Sequence, residues 1–355
     1  MTDPATLIAA APPIPAPWEL FDGLRLAFFL LHIIAMNILL GGALIAAAGR
    51  ALPGNAGRSL SRALPTVMAL AVNLGVPPLL FIQVVYGQFF YTSSILMAWI
   101  WLAVVAILIV AYYSLYLHDA RVARASASRV FVRLAALLLA ANAFIYVCNL
   151  SQTQNPGGWP LAIAGDGTIR GTFLPLADPA LFPGFAHFLI GAVAVAGLAL
   201  ALAGRLGWFA ARDERVETYG LRLFFYATLA QIAAGGWFLV SQPGATSELF
   251  LGTSPEAAAL LGLAAVLTLA ALICAQARQT PACAVCAFGI LSAMALMREI
   301  VRLSRLAPYF QPRDLRLVPE SGPAALFAVL SIAALCALSW LAAALRRSGQ
   351  TGKGA

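Results

Sequence analysis

The chain has 355 residues, of which 62% are hydrophobic and 10% charged, and its mean hydropathy is +0.88. A water-soluble domain needs more polar surface than this composition supplies, so the sequence predicts an integral membrane protein with several spans. The formal net charge of +8 comes almost wholly from arginines between apolar runs. That placement is typical of membrane topology signals and argues against nucleic-acid binding.

The first 23 residues, MTDPATLIAAAPPIPAPWELFDG, contain no basic region and no small-residue cleavage site after a short apolar stretch. We therefore expect this segment to be retained. Nine apolar runs follow, each of about the 20 residues that cross a bilayer. They lie at about 24–48, 64–91, 94–118, 130–150, 183–204, 219–241, 256–277, 281–304 and 322–345.

The nine runs predict an all-α polytopic bundle that forms one integral membrane domain. Pro77 and Pro78 lie inside the second run, where missing backbone donors predict a kink near the middle of the helix. The longest connection, 151–182, is rich in Gly, Pro and Asp and predicts a folded cap of turns. We expect neither an internal repeat nor a separate soluble domain.

Charge sets the expected orientation. Fifteen arginine and lysine residues lie on one side of the predicted spans and seven on the other. The positive-inside rule then places the N-terminus and the 151–182 cap outside and the C-terminus in the cytoplasm, with the bacterial inner membrane as the expected location. The exception is a basic cluster around span eight: Arg298, Arg302, Arg305, Arg313 and Arg316.

Few ionisable side chains lie within the predicted spans, where their cost makes each a functional candidate. At about 1.5 Å per residue, His187 and Glu299 lie about 7 Å and His32 about 12 Å below the outer edge. Two imidazoles and a carboxylate in one layer of a helical bundle are typical of haem iron ligands. Arg298 and Arg302, beside Glu299, could neutralise haem propionates.

Simpler interpretations stay open for these residues. A histidine near a helix end is often interfacial, and Glu299 could pair with Arg302 one turn later. His118 lies at the inner edge of the membrane, at the end of span three, so we do not group it with the three candidates of the outer half. Cys283 and Cys286 have metal-ligand spacing but no second pair, so we interpret them as small apolar residues.

Several segments resemble subunit I of the cytochrome bd quinol oxidases. The strongest likeness is NLSQTQNPGG…DPALFPGFAHFLIGAVAVAG, residues 149–197, and weaker ones are NLGVPPLLFIQVVYGQFFY, residues 73–91, and MREIVRLSRL, residues 297–306. The resemblance implies that His187 binds a low-spin haem b and that His32 binds another haem. It also implies that Glu299, with Arg302 beside it, binds a second haem b.

The sequence departs from that family at three places. The connection 241–256 is far shorter than the family's quinol-binding loop, span seven lacks the methionine that pairs with the span-five histidine, and span three contains no acid. Oxygen reduction consumes protons, and a span without carboxylates lacks one relay for them. We therefore expect a shortened relative that keeps more than one haem b, with haem d as an open alternative.

The leading functional hypothesis is an oxidoreductase subunit in the lipid bilayer that passes electrons from quinol to a partner. That partner would be a second subunit or a multihaem cytochrome c on the outer face. The candidate quinol-binding residues are Gln83, Gln88 and Glu248. Two alternatives stay open: a complete quinol oxidase that reduces oxygen, and a membrane transporter, which would show repeats and discontinuous helices.

Overall fold

The computed structural model describes residues 4–49, 52–124, 128–163, 167–208 and 211–351. Arg50 and Lys353 of the charge count, and residues 164–166 of the predicted cap, lie outside these ranges. Within the described ranges, nine helices are long and apolar enough to cross a membrane, which confirms the predicted all-α polytopic bundle. They are α1 (Trp18–Ala47), α2 (Ala56–Leu96), α3 (Ala98–Ala123), α4 (Val130–Thr153), α5 (Leu181–Leu206), α6 (Glu214–Val240), α8 (Pro255–Gln276), α9 (Thr280–Leu306) and α10 (Ser321–Thr351).

The helices form two groups of four, α1–α4 and α5, α6, α8 and α9, which meet where α1 packs against α5. Small residues permit this contact. A Cβ at Gly41 would lie 2.0 Å from the carbonyl oxygen of Ala192, so the two backbones touch there. Close backbone approach at small residues is the usual basis of helix association in lipid, where hydrophobic burial gives little driving force.

The two groups share a few residue spacings. His32 of α1 is followed ten residues later by Gly42 and seventeen residues later by Gly49, just beyond the end of α1, and His187 of α5 is followed by glycines at the same two spacings. In α2 and α6, an arginine precedes a glycine by thirteen residues: Arg62 and Gly75, and Arg222 and Gly235. The matched helices are four membrane spans apart along the chain, so they run in the same direction. These few shared spacings lie in matching helix pairs, and the expectation of no internal repeat stays a prediction.

Helix α2 is the longest helix, with 41 residues, and it contains Pro65, Pro77 and Pro78. The residue that departs from helical geometry is Tyr86, with φ −124° and ψ 26°. The break in helical geometry therefore lies eight residues beyond Pro78, past the position at which the kink was predicted. This break lies next to buried polar groups of α9, as the Tyr86 hydroxyl contacts Glu299.

The connection between α4 and α5 packs onto one end of the bundle. Trp159 is fully buried and donates a hydrogen bond from Nε1 to the carbonyl oxygen of Gln152 at 2.9 Å. The backbone N–H of Phe173 bonds to the Leu96 carbonyl oxygen at 3.0 Å, and that of Trp99 to the Gly171 carbonyl oxygen at 2.9 Å. These bonds fix the connection against the junction of α2 and α3.

The other connections differ in length. A short helix, α7 (Gly244–Glu248), and a π-helical turn (Leu249–Thr253) join α6 to α8. The last helix, α10, is peripheral: in its most apolar stretch, Ser321–Leu341, none of the residues whose exposure is described is buried by the rest of the chain. In a membrane, this helix is therefore surrounded by lipid or by another protein.

Candidate functional site

His32 lies at the interface of α1 and α2. Its Nδ1 is 2.8 Å from the carbonyl oxygen of Ala71. A carbonyl oxygen can only accept, so Nδ1 carries the proton and Nε2 keeps a free lone pair. The ring fits against Gly75, where a Cβ would lie 2.8 Å from Cε1 and 2.9 Å from Nδ1. A carbonyl bond to Nδ1 is the arrangement that orients metal-binding histidines.

His187 occupies the equivalent place between α5 and α6. Its ring lies against Gly235, where a Cβ would be 3.1 Å from Cε1 and 3.3 Å from Nδ1. Phe238 stacks on the ring at a centroid distance of 6.2 Å and an interplanar angle of 18°. Nδ1 is buried without a hydrogen-bond partner, and so is Oε1 of the neighbouring Gln231. Buried polar atoms rarely stay unpaired, so this site is incomplete as a purely structural one.

Glu299 lies in a buried cluster of charges. Its Oε2 accepts from Arg302 at 2.6 Å and from Arg25, while its Oε1 accepts from the Tyr86 hydroxyl at 2.9 Å. Arg25 also donates from Nε to Asp22 at 2.8 Å. All five side chains belong to residues that are at most 8% exposed. Two arginines and two acids balance the charge, so the cluster joins α1, α2 and α9 without a net buried charge.

The structure places Arg298 against the helix that carries His32. The Arg298 guanidinium lies 4.6 Å from the centroid of Phe29, three residues before His32 on α1. Among the described residues it forms no salt bridge, unlike Arg25 and Arg302. Asp22, Arg25, Phe29 and His32 follow helical spacing along one face of α1. His32, Arg298, Glu299 and Arg302 therefore share a region, whereas His187 lies in the other half of the bundle.

Asp22, Arg25 and Tyr86 belong to this cluster, but the sequence of each span by itself did not identify them as site residues. Arg25 and Asp22 lie at the start of α1 with (i, i+3) spacing, which is a weak signal of a pair. Tyr86 gave no signal, because its role depends on the backbone break in α2. Within the described residues, no group of three or more His, Cys, Asp or Glu side chains is placed to hold a metal ion.

A cavity of about 550 Å³ lies at the end of the bundle that the α4–α5 connection covers. The α4–α5 connection and the ends of α6 and α9 form its wall. Three buried polar atoms of its lining have no hydrogen-bond partner: Oε1 of Gln152, Nε2 of Gln242 and Nε of Arg305. One acceptor and two donors of the cavity wall are therefore buried and unpaired.

An ion pair organises the same wall. Arg305 donates from Nη1 to Asp178 at 3.1 Å and from Nη2 to Gln242 Oε1 at 3.0 Å. Burial by itself would raise the pKa of Asp178. The Ser151 hydroxyl, the Arg305 guanidinium and the Ala180 N–H outweigh burial and hold the pKa below its usual value. Asp178 is therefore ionised at neutral pH and fixes the guanidinium at the cavity wall.

The three residues predicted to bind quinol lie elsewhere. Gln83 donates to the carbonyl oxygen of Leu79 and accepts from the hydroxyl of Tyr91. Gln88 is buried, at 6% exposure, and Glu248 is exposed at the end of α7. None of the three lines the cavity. Gln152 and Gln242 gave no recognisable signal, and Arg305 was noted only as a member of the basic cluster around span eight. The three lie on different elements, so nothing in the sequence connected them.

No protein-family model matches the sequence, and no curated protein matches it either. Among solved structures, the bd oxidase from Geobacillus thermodenitrificans is similar, with a TM-score of 0.61 and 12% sequence identity. The match covers 93% of this chain and 98% of that chain. At this identity the likeness concerns the fold alone, and it confirms the predicted resemblance at that level. The chain is a multi-pass membrane protein with the fold of a bd oxidase chain.

Proposed function

We propose that this chain is a haem b-binding electron-transfer subunit of a bacterial inner membrane, with one haem at His32 and another at His187. The main support is that the same arrangement occurs in both halves of the bundle: an imidazole on the first helix against a glycine on the second. Interfacial histidines have no reason to repeat this environment. The bd oxidase fold agrees with the proposal.

The residues present fit a haem. At His32, the bond from Nδ1 to Ala71 leaves Nε2 as an iron ligand. Phe29 supplies an apolar aromatic surface, and Arg298 is a cation without a salt bridge in the described chain, suited to a propionate. A bound haem would supply one-electron transfer, and the protein would set its potential through ligand, burial and nearby charge. Glu299 stays a candidate ligand on the resemblance alone, since both its oxygens accept hydrogen bonds here.

For quinol, we propose the cavity at Gln152, Gln242 and Arg305. A quinol head group has hydroxyls that both donate and accept. These three atoms are buried in the cavity wall, so their side chains would turn toward the head group on binding. The head group would then donate to Gln152 Oε1 and accept from Gln242 Nε2 and Arg305 Nε, which gives partners to three atoms that otherwise lack them. The volume falls within the range of small-molecule sites. The electron acceptor would be a second subunit or a multihaem cytochrome c at the same end of the bundle.

The transporter alternative rests on different observations. Transporters are often built from two matched halves, so the shared spacings of α1/α2 and α5/α6 agree with this class as well. Discontinuous helices at matched positions are the second requirement. The break at Tyr86 in α2 has no counterpart in the fully described α6. The matched imidazoles favour the redox proposal.

A reduced-minus-oxidised absorption spectrum of the purified protein tests the function. We expect the α-band of haem b and about two haems per chain by pyridine haemochrome, because each half of the bundle offers one histidine site. A further red-shifted haem d band would favour the complete oxidase. Protein purified after expression with a haem precursor that still lacks any haem would contradict both redox proposals and favour a transporter.

The quinol proposal predicts different effects for two glutamine variants. Gln242→Leu is expected to raise the KM for quinol in haem-reduction assays by about tenfold or more, because a lost hydrogen bond to a buried group costs about 1–3 kcal/mol. Gln83→Leu, which removes a glutamine outside the cavity, serves as the control and should leave KM unchanged. The reverse pattern would reject the cavity and favour the residues predicted from sequence.

A further inference from the structure

The two histidine sites share a second feature besides the imidazole. In α2, the hydrogen-bond acceptor Ala71 lies four residues before Gly75. In α6, Gln231 lies four residues before Gly235. In an α-helix, the Cβ of a residue tilts toward the N-terminus and flanks the carbonyl one turn earlier. A glycine at that position removes the Cβ and opens the carbonyl to a side-chain donor from a neighbouring helix.

We propose that Gly75 and Gly235 are positioning residues that admit the Nδ1 edge of each histidine to a helix carbonyl. This inference rests on the proposed function. At His32 the bond to Ala71 is formed, at 2.8 Å. At His187 the backbone of Gln231 lies near the imidazole, although Nδ1 lies outside hydrogen-bond geometry. Iron binding at Nε2 fixes the proton on Nδ1, which then requires this acceptor.

The packing around Gln231 supports its assignment to His187. A Cβ at Gly191, one turn after His187 on α5, would lie 3.0 Å from Nε2 of Gln231. Each helix thus places one polar side chain against a glycine of the other helix. Gln231 also has an unpaired buried Oε1, so this residue offers two acceptors on the side of α6 that faces α5.

The distance from the added Cβ to the histidine ring determines the expected effect of alanine at each glycine. At Gly75 the added Cβ would lie under 3.0 Å from two atoms of the His32 ring, so the ring must move away from Ala71. At Gly235 the distances of 3.1 and 3.3 Å to His187 are larger, and a smaller shift is sufficient. The larger effect is therefore expected at Gly75.

The test uses Gly75→Ala and Gly235→Ala in the full-length haem-loaded protein. Gly236→Ala is the matched control, since Gly236 is adjacent to Gly235 and has open space around its Cβ position. Each variant is expected to weaken its own haem by about 10- to 100-fold, the usual effect of losing the group that orients a metal-binding histidine. Haem transfer to excess apomyoglobin measures this loss. The midpoint potential of the same haem should rise, because an imidazole without its Nδ1 bond is a poorer electron donor.

The second haem of each molecule is an internal control for folding. A change confined to one haem, at His32 for Gly75→Ala and at His187 for Gly235→Ala, supports the proposal. Equal changes at both haems, loss of both, or behaviour identical to Gly236→Ala would overturn it. Absence of haem from the wild-type protein is a separate result, because it rejects the proposed function itself.

Discussion

Replacement of His187 by alanine is expected to remove one haem and leave the other in place, and His32→Ala should remove the other one. The two side chains belong to different halves of the bundle, His32 against α2 and His187 against α6. The third histidine of the chain, His118, lies on α3 and belongs to neither the α1–α2 nor the α5–α6 interface. Each substitution therefore removes the candidate iron ligand of a single site, which no neighbouring imidazole can replace.

The haem-to-protein ratio by pyridine haemochrome should fall by about half in each single variant and to near zero in the double variant, if each histidine holds one haem. His118→Ala is the matched control. His118 is also a buried histidine, at 6% exposure, and its Nδ1 also lacks a partner. It lies on α3 near the opposite end of the bundle. An unchanged ratio in the His187 and His32 variants, or an equal loss in the His118 variant, would reject the ligand assignments.

The second large effect is expected at Glu299. Glu299→Leu leaves Arg25 and Arg302 buried with only Asp22 as counterion, and it removes the acceptor of the Tyr86 hydroxyl. Breaking a buried ion pair by removing one partner typically costs about 3–5 kcal/mol. The free energy of unfolding in mixed micelles, measured by denaturant titration, should fall by that amount.

A double variant separates charge imbalance from the loss of a cavity-filling side chain. Glu299→Leu with Arg302→Met removes one acid and one base, and leaves Arg25 paired with Asp22. We expect it to be more stable than Glu299→Leu, since the uncompensated charge is gone. The haem content of these variants distinguishes the role of Glu299 in the ion cluster from the iron-ligand role that the resemblance implies. A full loss of one haem with little change in unfolding free energy would favour Glu299 as an iron ligand over its role in the ion cluster.

The sequence by itself determined the class of the protein. Runs of about 20 apolar residues can bury their backbone polar groups in lipid only as helices, so composition and run length were sufficient for the all-α bundle. The positions of the spans also identified His32, His187 and Glu299 as functional candidates, because ionisable side chains are costly in lipid. The resemblance to the bd oxidase fold could be inferred from the segment around His187, and the structural match agrees with it.

Tertiary structure decided which of these residues are neighbours. Similar depth suggested one layer of ligands, but depth does not specify the direction in which a side chain points around its helix. The folded chain packs His32 against α2 and His187 against α6, and it places Arg298 on Phe29. It surrounds Glu299 with Arg25, Arg302 and Tyr86. The cavity at Gln152, Gln242 and Arg305 joins three elements far apart in sequence. The local sequence pattern determines which segments form membrane-spanning helices. Contacts between helices that are distant in sequence depend on close packing at small residues such as Gly41, Gly75 and Gly235, and the sequence of one span does not show which helix packs there.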